Sequence, residues 1–355
     1  MVTNSTRRGK LLLRAIQAKP RLSTFLIGCV FALFMSFCAE GGFYLLNQQT
    51  ALFENSIKGM FQADKHLGYK PKPNMQFSSK KTRKKDGKVV YDVVYSIDTY
   101  GRRITPVSNA AGRTEGFILY FGGSFTFGEG VNDNETMPFY VSQFAPKRLP
   151  YNYGFRGYGP QQMLANLQSD KITEEVKSTG RGILVYTFID DHVRRVIGSI
   201  RVLFFVHPHP YYTLDRNDQL VRRGSFTSGR PILTKLYRVM GKSQTLKCFH
   251  IDFPKVNERH LRLTARLISE SRRIFREKFG SDDFYVLIYP GSTHYGKRLI
   301  PFLEKANIKY VDYSNLTFEE IKGDSHPTTT AHMEVAARLS RDLGLLGAGR
   351  KNSHE

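Results

Sequence analysis

GFILYFGGSFTFGEGV, residues 116–131, runs an apolar segment into a glycine-rich turn that carries one serine, Ser124. A short continuous apolar run bounded by turn residues is the pattern of a strand buried on both faces. The glycines after it let the backbone turn sharply and approach a ligand closely. Ser124 then has three readings. A phosphate loop needs a Lys-Ser/Thr pair after its glycines, and GGSFTFGEG has no lysine and carries Glu129, so that reading fails. A Gly-x-Ser-x-Gly elbow would need a glycine where Thr126 stands. The third reading is a nucleophile activated by a separate base. A serine hydroxyl attacks only when a base takes its proton, and the base is an imidazole held by a third group. IKGDSHPTTTAH, residues 321–332, offers both, with Asp324 two residues before His326. Glycines beside the serine also let backbone N–H groups reach a developing oxyanion.

Outward from this stretch the pattern alternates. GPQQMLANLQSDKITEEVKS (159–178) reads as helix, GILVYTFI (182–189) as a second buried strand, and ERHLRLTARLISESRRIFREKF (258–279) as a long amphipathic helix with a basic face. FYVLIYP (284–290) and IKYVDYS (308–314) read as strands, and TTAHMEVAARLSRDLGLL (329–346) as a final helix. Strand–helix alternation predicts an α/β fold, a three-layer α/β/α sandwich around a parallel sheet. Reactive groups in such folds gather beyond the carboxyl ends of the strands. Ser124, Asp190 and the loop holding His326 all follow strands and so can meet at one edge. Residues 193–256 interrupt the alternation with an aromatic, basic, turn-rich segment, read either as a hairpin or lid beside the site or as a packing elaboration. His207-Pro208-His209 within it reads as a surface turn rather than a metal site, His332 as a surface residue of the last helix, and His294 as a residue that could line a pocket.

The first 115 residues read differently. Residues 1–21 carry Arg7, Arg8, Lys10, Arg14, Lys19 and Arg21 and no acid, and the first charge after them is Glu40. Residues 22–47 are long and apolar enough for a transmembrane signal anchor, and the basic tail 1–21 keeps the N-terminus cytoplasmic. The rest of the chain is then exported, periplasmic or extracellular. Residues 48–115 read as a helical stalk (48–66) and a strand-rich lead-in, with VVYDVVYSIDTYGRR (89–103) as strand. SSKKTRKKDGK (78–88) reads as a solvated loop, or as a patch for anionic headgroups or glycan. Residues 347–355 form a C-terminal tail. The excess of 53 Lys+Arg over 31 Asp+Glu favours anionic partners without choosing among them. No zinc-finger spacing, RNP-like motif or basic zipper points to nucleic acid. Of three cysteines, two lie in the apolar segment, so no disulfide staples the body, and no Cys/His cluster has zinc spacing.

Taken together the motifs resemble the SGNH/GDSL-type hydrolases over residues 116–346. Four blocks stand in the family's order: GGSFTFGEGV, NYGFRGYGPQQ, YTFIDDHVRR and GDSHP. The upstream LGYKPKPN and YSIDTYGRR are similar to the lead-in of exported members. The resemblance implies Ser124 as nucleophile, His326 as base, Asp324 as its orienting acid, and an oxyanion hole at Gly157 and Asp190. It implies no metal and no organic cofactor.

Three departures stand out. Gly123 occupies the place of the family's aspartate before the serine. Asp190 stands where the family has an asparagine, and an ionised carboxylate accepts where an amide would donate. Asp190 is then protonated, turned away or differently employed, or the oxyanion hole is weaker, and His192 or Arg194 is a candidate for the missing donor. The acid–base spacing is Asp-x-His, similar to O-acetyltransferases of exported polysaccharides. Three functions follow: an anchored, exported esterase or deacetylase acting on an O-acyl ester of a small molecule, envelope glycan or lipid; an O-acyltransferase fed by an acyl-donor membrane partner; or a non-catalytic glycan-binding protein.

Overall fold

The computed structural model describes residues 24–25, 28, 31, 34–35, 38–44, 53–55, 59–107, 115–176 and 180–346. The expected tails 1–21 and 347–355 lie outside the described residues, as does much of the expected anchor 22–47. Among the described residues no helix is long and apolar enough to cross a membrane.

The chain divides into two units, residues 1–51 with 242–251, and residues 52–241 with 252–355. In the smaller, the described residues between 24 and 44 are helical. Its Glu40 carboxylate accepts from the backbone N–H of Gln244 at 2.7 Å and of Thr245 at 3.2 Å, and from the Ser243 hydroxyl. That carboxylate caps the helix Gln244–Cys248 from outside its own element.

The larger unit begins with strands, where a helical stalk was expected. They are β1 (Phe53–Asn55), β2 (Phe61–Asp64), β3 (Gly68–Pro71), β4 (Met75–Arg83) and β5 (Val89–Ile97). β2 and β3 form a hairpin, and β1, β4 and β5 an antiparallel sheet. The basic stretch expected as loop is therefore mostly strand β4. Period-two alternation buries Phe77 and Ser79 on one face of β4, and Tyr91, Val93 and Tyr95 on β5. That face packs on Phe127, Phe155 and Tyr158, the residues that flank the serine turn and the Gly157 loop.

The main sheet holds β6 (Gly116–Phe121), β7 (Arg148–Asn152), β8 (Arg181–Phe188), β11 (Phe284–Ile288) and β12 (Lys309–Asp312). The remaining strands, β9 (Pro210–Leu214) and β10 (Leu220–Ser225), form a hairpin inside the segment 193–256. The five main strands run in the order β12-β11-β8-β6-β7, and every pairing is parallel. All six residues of β6 are buried, as the continuous apolar run requires. Phe117, Leu119 and Phe121 share one core with Leu164 and Leu167 of the helix Pro160–Gln168 and Leu267 and Ile268 of the helix Glu258–Phe279. Ile118 and Tyr120 share the other with Val141 of the helix Met137–Phe144 and Val335 and Leu339 of the helix Thr329–Asp342. Helices therefore cover both faces, which makes three layers. The helix expected over 159–178 stops at Gln168 and restarts at Lys171.

Candidate active site

The serine turn is made by local sequence. β6 ends at Phe121, and Ser124 opens a one-turn helix, Ser124–Phe127, that Gly128 closes in the left-handed conformation. Arg103, 2% exposed, holds the segment that follows. Its Nη1 donates to the Phe127 carbonyl at 2.7 Å, its Nη2 to Val131 O at 2.7 Å, and its Nε to Asp133 at 3.0 Å. Tyr95 adds its hydroxyl oxygen, which accepts from Gly130 N–H at 2.9 Å. The strand-rich lead-in thus fixes the loop behind the serine.

Ser124 Oγ lies 2.8 Å from His326 Nε2. His326 Nδ1 faces Asp324 Oδ1, which also accepts the His326 backbone N–H at 3.0 Å. The short Asp-x-His spacing therefore closes on itself: one carboxylate oxygen holds both the ring and the backbone of the base. The other oxygen, Oδ2, accepts from Lys81 Nζ on β4 at 2.7 Å. Burial raises the Asp324 pKa, but the hydrogen bonds and charges of His326 and Lys81 outweigh it and hold the carboxyl well below its ordinary 3.8. It stays ionised across the physiological range. A second carboxylate, Glu129, sits 3.4 Å from His326 Nε2 and is paired with Arg156 at 2.6 Å.

Gly157 adopts φ +79°, and a Cβ there would lie 2.3 Å from the Tyr69 hydroxyl, so any other residue would be strained and would force a neighbour to shift. Among the described residues, neither the Ser124 nor the Gly157 backbone N–H donates to a protein acceptor. Both residues line a cavity of about 800 Å³ with His326, Glu129 and Arg156. The hairpin β2–β3 supplies Phe61 and Tyr69 as one wall, and the segment expected as an insertion supplies Phe204, Phe205 and His207 as another.

Asp190 does not belong to this cavity. Its carboxylate accepts from the backbone N–H groups of His294 at 3.1 Å, Tyr295 at 2.8 Å and Gly296 at 2.8 Å. It caps the helix Tyr295–Lys305, where a negative charge meets exposed N–H donors and the helix dipole. The carboxylate is thus turned away from the cavity and employed at a helix start, one of the alternatives expected for it. Neither expected substitute donor reaches the cavity. Arg194 pairs with Asp191 at 2.6 Å and with Asp252 at 3.3 Å. His192 is 1% exposed, its Nδ1 lies 2.6 Å from the Tyr186 hydroxyl, and burial followed by the Arg195 charge keeps it neutral. The residue that does line the cavity is Arg195, 6% exposed, which donates from Nη1 to Tyr158 O at 2.7 Å. His209 and His332, read as surface residues, are both fully buried, whereas His294 is exposed.

No protein-family model matches the chain, and no curated protein matches it. Among solved structures, a member of the lipolytic protein G-D-S-L family from Veillonella parvula aligns with 64% of this chain and 97% of its own, at 11% identity and a TM-score of 0.35. A catalytic mutant of an acetylxylan esterase from Geobacillus stearothermophilus aligns with 69% of this chain and all of its own, at 14% identity and a TM-score of 0.34. An acetyl xylan esterase from Butyrivibrio proteoclasticus aligns with 76% of this chain and 69% of its own, at 10% identity and a TM-score of 0.35. Likeness at this level assigns no activity or substrate to this chain.

Proposed function

We propose that this protein is a serine ester hydrolase, anchored through its apolar N-terminal segment with the catalytic unit exported. The observation that carries the reading is the hydrogen-bonded relay from Ser124 Oγ through His326 to Asp324. Unlike a turn serine, Ser124 has a base within 2.8 Å, and that base has its own acid. Ser124 Oγ attacks the ester carbonyl carbon while its proton passes to His326 Nε2. The carbonyl oxygen becomes an anion facing the N–H groups of Ser124 and Gly157. The C–O bond to the alcohol breaks, and the departing alkoxide takes the proton from Nε2. Water then attacks the acyl-serine, again giving its proton to His326, and collapse of the second tetrahedral intermediate frees the acid and restores Ser124. Asp324, held ionised by His326 and Lys81, stabilises the imidazolium in both halves.

A second reading, acyl transfer to a sugar hydroxyl, draws support from the cavity. A volume of about 800 Å³ walled by Phe61, Tyr69, Phe204 and Phe205 holds far more than an acetyl group and a water. Both readings share the acyl-serine and differ in the acceptor. The test is turnover of p-nitrophenyl acetate by the wild type, Ser124→Ala and His326→Ala, with and without an oligosaccharide acceptor. Turnover that vanishes in both variants supports the serine mechanism. Acyl groups appearing on the saccharide would move the assignment to transferase, and equal turnover in Ser124→Ala would end both readings.

A further inference from the structure

The expected third oxyanion donor is absent at Asp190, and the residue before the nucleophile has lost its side chain. The structure links these two facts through Arg195. A Cβ on Gly123 would lie 2.6 Å from Arg195 Nη1, closer than real Cβ atoms come, and 3.1 Å from His192 Nε2 and 3.2 Å from Tyr158 O. The guanidinium, with the His192 ring and the Tyr158 carbonyl, therefore fills the space that a side chain at position 123 would need. The same Nη1 donates to the carbonyl of Tyr158, the residue after Gly157. One guanidinium thus touches both the segment that carries Ser124 and the segment that carries Gly157, two residues that line the cavity.

Among the described residues this group has a carbonyl partner but no counter-ion: Glu129 is taken by Arg156 and Asp191 by Arg194, and no described carboxylate lies within ion-pair distance of Arg195. Nε is buried and has no protein hydrogen-bond partner. Burial disfavours the cation, and Asp191, Tyr69, Tyr186 and Glu129 offset this only from a distance. Burying a charge without a close counter-ion is costly. Such a cost beside a nucleophile is offset when an anion forms there during reaction.

We propose that Arg195 is a catalytic residue that stabilises the oxyanion of the tetrahedral intermediate, and that Gly123 exists to admit it. The proposal rests on the serine mechanism above. Its logic is electrostatic. The N–H groups of Ser124 and Gly157 supply neutral dipoles, and Arg195 adds a full positive charge in a desolvated site. Asp190 is then free to serve as a helix cap, because the donor it would have supplied comes from five residues further on.

The test uses the full-length protein in detergent micelles and the uncharged substrate p-nitrophenyl butyrate. Arg195→Met should lower kcat by about 10²–10³-fold, the usual loss for one oxyanion group, with KM little changed. Arg195→Lys, which keeps the charge, should recover part of that loss. A trifluoromethyl ketone forms the tetrahedral anion on a serine and a methyl ketone of the same chain does not. Arg195→Met should therefore weaken the first inhibitor strongly and the second hardly at all, a difference that a merely structural role would not produce. If Arg195→Met does not fold, Gly123→Ala takes its place: it displaces the guanidinium without removing it and should lower kcat at least tenfold. A loss confined to KM, or equal weakening of both ketones, would overturn the proposal while leaving the serine mechanism standing. A wild type with no turnover and no inhibition would instead remove the mechanism on which the proposal rests.

Discussion

Replacing Lys81 with methionine tests whether the strand-rich lead-in belongs to the catalytic apparatus. Lys81 Nζ lies 2.7 Å from Asp324 Oδ2, with side-chain exposures of 19% and 6%. Hydrogen bonds to charged groups contribute about 1.5–3 kcal/mol when both partners are well placed. Methionine keeps the aliphatic length, so the loss includes that bond. In the proposed mechanism His326 carries a positive charge in the transition state, and Asp324 stabilises it. If the whole loss fell there, kcat would drop by about 10- to 150-fold. The Lys81 charge also repels the imidazolium, which offsets part of the effect, so a fall of about tenfold is expected. Stability gives an independent reading. The Asp324 carboxyl is depressed below its ordinary 3.8, so its contribution is fully present above that value and is lost as pH falls through the folded-state value. Urea melts should show Lys81→Met less stable than wild type by a constant margin from pH 5 to 8, with the margin closing below pH 3.8. A variant with wild-type kcat, or a margin that persists unchanged into strong acid, would refute the reasoning.

Asp190→Asn keeps one accepting oxygen but removes the negative charge at the start of the helix Tyr295–Lys305, so it should lower stability by about 0.3–1 kcal/mol, with no gain in kcat. A rise in kcat on p-nitrophenyl acetate would show that the carboxylate faces the oxyanion after all. Gly157→Ala places a methyl 2.3 Å from the Tyr69 hydroxyl on a backbone at φ +79°, so it should shift one oxyanion donor and lower kcat by about 10²-fold or more. Circular dichroism checks that the variant stays folded. His332 is fully buried, and burial, then the charges of Arg103 and His326, lower it to about 3. The unfolded chain takes up a proton below pH 6.5 that the fold refuses, so this residue makes stability fall as pH drops from 6.5 towards 3. His332→Leu should flatten the acid slope by up to about 1.4 kcal/mol per pH unit, and an unchanged slope in denaturant titrations would contradict it.

Local pattern and tertiary context divide what the sequence shows. β6, β8 and the helix Glu258–Phe279 are legible because each carries its own signal, an apolar run or a continuous amphipathic face. The edge strand β7 is not, because Pro150 interrupts it and one short run of mixed residues carries no periodicity. The helix Tyr295–Lys305 contains Pro301, and its cap, Asp190, lies 105 residues from Tyr295, so no local start signal exists. Lys81 sits 243 residues from Asp324. Yet a signal was available: in MQFSSKKTR, Phe77, Ser79 and Lys81 alternate onto one face, and a strand reading would have turned that lysine inward with Phe77. Arg195 had no signal of its own. Its role emerges only from the space vacated at Gly123.

The central claim is that Ser124 is an activated nucleophile. Intact-mass analysis of the full-length protein after exposure to a fluorophosphonate tests it most directly, because the probe reacts fast with a serine whose proton a base removes and slowly with one that lacks a base. One adduct on the wild type, none on Ser124→Ala and slow labelling of His326→Ala is the predicted result. An unlabelled wild type, or an adduct that survives Ser124→Ala, would contradict the account.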